Sequence, residues 1–153
     1  MILHMKSFSE IDRRIIGELA ENGRLSFAEL GRRVNLSPPA VAERVQRLER
    51  SGVIAGYRAE IDPKALGYPL TAIIRVKPAP GQLARIPELA AEIPQVGECH
   101  RITGEDCFYL TLHLRSIDEL SETLDRFLVY GETTTSLINA TPIPRRDPPV
   151  PDA

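Results

Sequence analysis

One stretch, LSPPAVAERVQRLERSGVI from Leu36 to Ile54, constrains the fold more than any other. Ser37 is placed to cap a helix, and Pro38 stands at the first helical position, where its missing N–H costs nothing. Val41, Val45 and Leu48 recur at i, i+4 and i+7, which draws one apolar stripe along the helix. A turn of about 100° per residue then faces Pro39, Ala40, Glu43, Arg47 and Arg50 outward, with Arg44 on the flank. Gly52 ends the helix. Three arginines outside and branched aliphatics inside suit the major groove of DNA, and they suit water equally.

The preceding segment separates those readings. SFAELGRRVN, Ser26 to Asn35, opens with the capping box Ser26-x-x-Glu29 and turns Phe27, Leu30 and Val34 inward. Gly31 allows a neighbouring helix to approach. About three residues, Val34 to Leu36, join it to the next helix, the length of a helix-turn-helix turn. Ahead lies a third helix, Ser9 to Glu21, with a box-like start at Ser9 and Asp12 and Ile11, Ile15, Ile16 and Leu19 on one side. Three short helices, one shared core and a basic last helix are the parts of a DNA-reading domain.

Beyond Ile54, the alternation of Tyr57, Ala59 and Ile61 predicts the strand of a wing. Asp62-Pro63 and Gly67-Tyr68-Pro69 are punctuation, so residues 1–61 read as a winged helix-turn-helix domain and 62–69 as a linker. Residues 70–143 alternate strand and helix. Leu70 to Lys77 is a strand, and Gln82 to Ile93 a helix with Leu83, Ile86, Leu89, Ala90 and Ile93 inward. Pro87 either kinks that helix or marks its true first turn. Val96 to Thr103 and Cys107 to Arg115 form a hairpin. Ser116 caps a helix with Ile117, Leu120, Leu124, Phe127 and Leu128 inward, and Thr133 to Ile143 is the last strand. The order βαββαβ is ferredoxin-like, a four-stranded sheet with both helices on one face. The fold class is therefore α+β. Thr71, Ile73, Ser136 and Ile138 are too apolar as a group for free solvent, so a second copy is expected over the other sheet face. Residues 144–153 read as a Pro-rich tail.

The D-x-x-I-x-x-x-L of the first helix, the N-G-R before the second, then LS-P, ERVQRLE-x-x-GVI, GY and LGY follow one another over about sixty residues. In that order they resemble the N-terminal half of the Lrp/AsnC (feast/famine) family of transcriptional regulators, and residues 70–143 resemble its amino-acid-sensing domain. The resemblance implies a DNA-binding regulator that is not an enzyme, dimerises and assembles further, up to an octamer of four dimers, and responds to an amino-acid effector.

Charge agrees with this once the chain is divided. The net charge of −2 argues against nucleic acid, but residues 1–61 hold ten Lys/Arg against eight Asp/Glu. The remainder holds nine against thirteen, a mildly basic head on an acidic body. No apolar run approaches the roughly 20 residues of a membrane span, and Ile2-Leu3 is too short for a signal peptide, so a cytoplasmic protein is expected.

The candidate DNA contacts are Ser37, Pro39, Ala40, Glu43, Arg44 and Arg47, with Glu43 either accepting from cytosine or orienting an arginine. The alternative is a solvated face on which Glu29, Glu43 and Glu49 pair with the arginines. A dimer implies a roughly palindromic double-stranded site. The candidate effector site is the turn TGEDCFY, Thr103 to Tyr109. Glu105 and Asp106 offer acceptors to an ammonium, and backbone amides around Gly104 offer donors to a carboxylate. Gly-Glu-Asp is equally a turn with solvated acids. The resemblance favours the site and adds Thr134 and Ser136 from the last strand. Relatives often carry an aspartate where this chain has Cys107, so Asp106 substitutes for it or the site is altered. His4, His100 and His113 are scattered without metal spacing, and no metal or cofactor is expected. Cys99 and Cys107 are expected as reduced thiols, too far apart along the hairpin to bridge. Two other functions fit the architecture. Sirohaem decarboxylases resemble the family in both halves but need converging histidines and arginines, and a sensor without DNA contact would not need the three outward arginines.

Overall fold

The computed structural model describes residues 8–151, so His4, the Ile2-Leu3 pair and the last two residues lie outside it. The chain divides into two compact units, residues 8–60 with 144–151, and Ile61–Ile143. The division places 62–69 with the second unit and 144–151 with the first.

In the first unit, α1 (Glu10–Glu21), α2 (Phe27–Val34) and α3 (Pro38–Arg50) enclose one core. Ser9 and Ser26 cap α1 and α2, their hydroxyls accepting from the Asp12 and Glu29 amides at 3.1 Å. Ile15, Leu30, Val34, Val41, Val45 and Leu48 are buried together, with Ile11, Ile16 and Leu19 packed against them. Phe27 is 43% exposed instead of inward, because it is the first residue of α2 and the helix meets the core only from Leu30. Gly31 serves the turn rather than a neighbouring helix. A Cβ there would stand 2.5 Å from the Leu36 carbonyl oxygen, and the Leu36 amide donates to the Gly31 carbonyl at 2.9 Å. Asn35, at φ 58°, supplies the left-handed residue that reverses the chain. Gly52, at φ 73°, ends α3, and Val53 N–H closes back on the Leu48 carbonyl.

The wing strand expected from Tyr57, Ala59 and Ile61 does not form: residues 55–60 carry no strand. Among the described residues the alternating segment has no strand beside it to pair with, and the Tyr57 hydroxyl instead donates to Glu49 at 3.0 Å.

The second unit runs β1 (Leu70–Pro78), α4 (Arg85–Glu92), β2 (Val96–Arg101), β3 (Phe108–Leu114), α5 (Ile117–Leu128) and β4 (Gly131–Leu137). The strands lie in the order β2-β3-β1-β4, all antiparallel, which is the ferredoxin-like arrangement. Strict alternation puts Phe108, Leu110, Leu112 and Leu114 in the core with Ala72, Ile74 and Val76 of β1. Ile86, Leu89, Ala90 and Ile93 from the α4 region and Leu120 and Phe127 from α5 complete it. Pro87 is the third residue of α4, in the first turn, where no helical acceptor awaits its missing N–H. Leu83 precedes that helix and is exposed, as are Ile117 and Leu128 at the two ends of α5. β4 stops at Leu137, short of the expected Ile143, because β1 offers no partner beyond its first residues; the last link is Ile138 N–H to the Thr71 carbonyl at 2.8 Å.

Candidate nucleic-acid interface and effector turn

α3 presents its N-terminus and one flank to solvent. Ser37, Pro39, Glu43, Arg47 and Arg50 are exposed, and Ala40 and Arg44 are half-buried. Ser37 makes no side-chain cap, contrary to expectation. Prolines at the first two helical positions remove one of the two amides a capping hydroxyl normally meets. The hydroxyl has no hydrogen-bond partner among the described residues.

The arginines are held from below by a residue that the sequence reading treated only as part of a helix start. Asp12 of α1 is buried, 6% exposed. Arg44 donates to Asp12 Oδ1 at 2.9 Å and Arg47 to both carboxylate oxygens at 3.0 Å. Burial pushes the Asp12 carboxyl up, but the Ser9 hydroxyl, the Arg44 hydrogen bond and the two guanidinium charges outweigh it and hold the group below its ordinary value. One buried carboxylate thus fixes two guanidiniums of one helix while leaving the Arg47 side chain 57% exposed. Glu43 plays no such part, having no hydrogen-bond or ion-pair partner among the described residues. Glu29 pairs with Arg32 and Arg33 of its own helix, and Glu49 accepts from Tyr57, so neither neutralises the arginines of α3. The signal for Asp12 was its place one turn before Ile15 and Ile16, an acid on the inward side of an amphipathic helix.

In the second unit, Gly104 takes φ 114° at the turn between β2 and β3. Ile102 N–H donates to the Cys107 carbonyl and Cys107 N–H to the Val76 carbonyl, while the amides of residues 103–106 meet no protein acceptor among the described residues. Glu105 is exposed and unpaired among the described residues. Asp106 pairs with Arg75 of β1 at 3.3 Å. Thr134 and Ser136 of β4 stand beside Arg75 and Ile73 in register, on the sheet face away from the helices. Cys107 and Cys99 are free thiols packed at the margin of the core. Cys99 is in register with Leu110, as the hairpin reading requires.

No helix among the described residues is long and apolar enough to cross a membrane. Residues 8–49 match the AsnC-type helix-turn-helix domain, and residues 71–148 the Lrp/AsnC ligand binding domain. The chain is 36% identical over 129 residues to the HTH-type transcriptional regulator LrpC of Bacillus subtilis, covering 84% of this chain and 90% of the relative. It is 37% identical over 131 residues to LrpA of Mycobacterium tuberculosis, covering 85% and 87%. The solved feast or famine regulatory protein from M. tuberculosis, complexed with L-methionine, superposes with a TM-score of 0.84 at 34% identity, over 94% of this chain and 99% of that one. The curated relatives are named regulators rather than enzymes, which sets aside the decarboxylase reading. With both halves matched in order and the recognition helix intact, the chain belongs to the Lrp/AsnC family of DNA-binding transcriptional regulators.

Proposed function

We propose that this regulator acts in the cytoplasm as a homodimer or a higher assembly of dimers, reading a roughly palindromic double-stranded site with α3 and responding to an amino acid at the Thr103–Tyr109 turn. The observation that carries the DNA reading is the Asp12 carboxylate. It pre-organises Arg44 and Arg47 on an exposed helix flank, so little side-chain freedom remains to be lost on docking. Ser37, Pro39 and Ala40 then approach phosphates or thymine methyls at the end of the helix, and Glu43 faces the groove. Residues 1–61 are the DNA-reading domain, 62–69 the connection, 70–143 the sensing and assembly domain and 144–153 the tail.

The assembly reading rests on the sheet face away from the helices, where Ile73 is half-buried and Ile138 is 37% exposed beside threonines and Ser136. Half-sites then lie about one helical turn apart or a multiple of it. For the effector, Gly104, Glu105 and Asp106 form the turn, with Thr134 and Ser136 of β4 alongside; the methionine complex of the M. tuberculosis relative supports an amino-acid ligand.

Sequencing of genomic fragments retained by the purified protein, with and without a panel of amino acids, tests this reading. A recurrent two-fold motif whose recovery changes with one amino acid is expected. Arg47→Ala is expected to weaken binding to that motif by about 1–3 kcal/mol. Equal affinity of variant and parent at the same salt removes Arg47 from the interface, and a monomer in sedimentation refutes the dimer.

A further inference from the structure

We infer that Arg75 makes the effector turn selective for an acidic α-amino acid, with the side-chain carboxylate of the ligand held by the guanidinium of β1. The inference rests on the amino-acid reading of the turn and goes on to name the chemical class of its ligand. Three sets of groups meet there. The amides of residues 103–106 are without protein acceptors among the described residues, a cluster of donors suited to an α-carboxylate. Asp106 supplies a carboxylate for an ammonium, and Arg75 lies against it at 3.3 Å.

The Arg75 contact is a single one. It engages one nitrogen of a five-donor fork, and the Arg75 guanidinium, on a side chain 46% exposed, makes no other ion pair and no side-chain hydrogen bond among the described residues. Within one chain, one edge of the guanidinium therefore rests on Asp106 while the other meets no acceptor among the described residues. In register, Arg75 has Tyr109 on one side and Thr134 on the other, two hydroxyl-bearing side chains that line the same sheet face. An aliphatic or thioether side chain directed there would leave that edge of the guanidinium without an acceptor and withdraw it from water. A second carboxylate meets it with two parallel charge-assisted hydrogen bonds. The ammonium shares Asp106 with Arg75 and has Glu105 beside it, so the ligand adds one cation and two anions to a turn that already holds one cation, Arg75, and two anions, Glu105 and Asp106.

Titration calorimetry of the full-length protein with aspartate, glutamate, asparagine, glutamine, leucine and methionine tests the inference. Asparagine and glutamine match the acids in shape and lack only the charge. An acidic amino acid is expected to bind about tenfold to a hundredfold tighter than its amide. In Arg75→Gln that preference is expected to shrink to within about twofold, and Arg75→Lys, which keeps the charge without the fork, to restore part of it. Equal or tighter binding of an amide or apolar amino acid by the parent overturns the inference. So does an acidic preference that survives in Arg75→Gln. If a neutral amino acid binds and Asp106→Ala abolishes its binding, the turn remains the effector site and only the acidic class fails. If none of the six binds the parent, both readings fail.

Discussion

Replacing Asp12 by asparagine keeps the size of the side chain and removes the charge that anchors Arg44 and Arg47. Breaking a buried ion pair by deleting one partner costs roughly 3–5 kcal/mol when the other charge stays buried. Here the remaining partners do not stay buried. The Arg47 side chain is 57% exposed and Arg44 30%, so both rehydrate when released. The Arg47 contacts then resemble a surface pair of about 0–1 kcal/mol, and the Arg44 bond a charge-assisted one of about 1.5–3 kcal/mol. The amide still accepts one hydrogen bond, which brings the expected loss to about 1.5–3 kcal/mol. In a unit of this size that lowers the thermal midpoint by roughly 4–8 °C per kcal/mol. Circular dichroism melting measures the first effect, and DNA affinity at fixed salt and a temperature where both proteins are folded measures the second. Affinity for a selected site is expected to fall while affinity for random duplex holds or rises, because the substitution removes a negative charge near the phosphates. An unchanged ratio of specific to random binding in folded Asp12→Asn would refute the positioning role. The pH dependence has a defined sign. The folded Asp12 carboxyl titrates below 3.8, so the unfolded chain binds the proton first. The stabilisation is full above that ordinary value and is lost as pH falls through the lowered folded one.

Gly31→Ala is expected to destabilise the first unit by about 1–3 kcal/mol despite alanine's better helix propensity, because the new methyl meets the Leu36 backbone carbonyl at 2.5 Å; a urea midpoint equal to or above the parent's would contradict this. Tyr57 is expected to ionise at about 12, pushed up by burial and then by its hydrogen bond to Glu49 and the charge there. Its contribution to stability is therefore present below the ordinary value of 10.0 and is lost as pH rises towards 12, and spectrophotometric titration of Glu49→Gln should show one tyrosine titrating lower. Both cysteines should react with a thiol reagent without prior reduction, and Cys99, whose thiol burial pushes up, should form thiolate only at higher pH than an open thiol; an intrachain Cys99–Cys107 bond would mean that the β2–β3 register is wrong.

What was legible in the sequence was encoded within a few residues. The caps at Ser9, Ser26 and Ser116 each bond an amide three residues ahead, and the Val41, Val45 and Leu48 stripe recurs within two turns. Strict alternation from Phe108 to Leu114 names the core face of β3 without any knowledge of its neighbours. Helices and strands, their order and most of the core follow from such local periodicities. Failures came where a local pattern needed a distant partner. Tyr57, Ala59 and Ile61 alternate like a strand but pair with none among the described residues, and β4 ends beside the start of β1. The pairings that organise the two candidate sites were out of reach for the same reason. Asp12 meets Arg44 and Arg47 across separations of 32 and 35 residues, and Arg75 meets Asp106 only because β1 and β3 lie side by side. Local sequence sets which face of an element is apolar, since that depends on periodicity within the element. Which charges share a site depends on how the elements pack, and only the tertiary structure decides it.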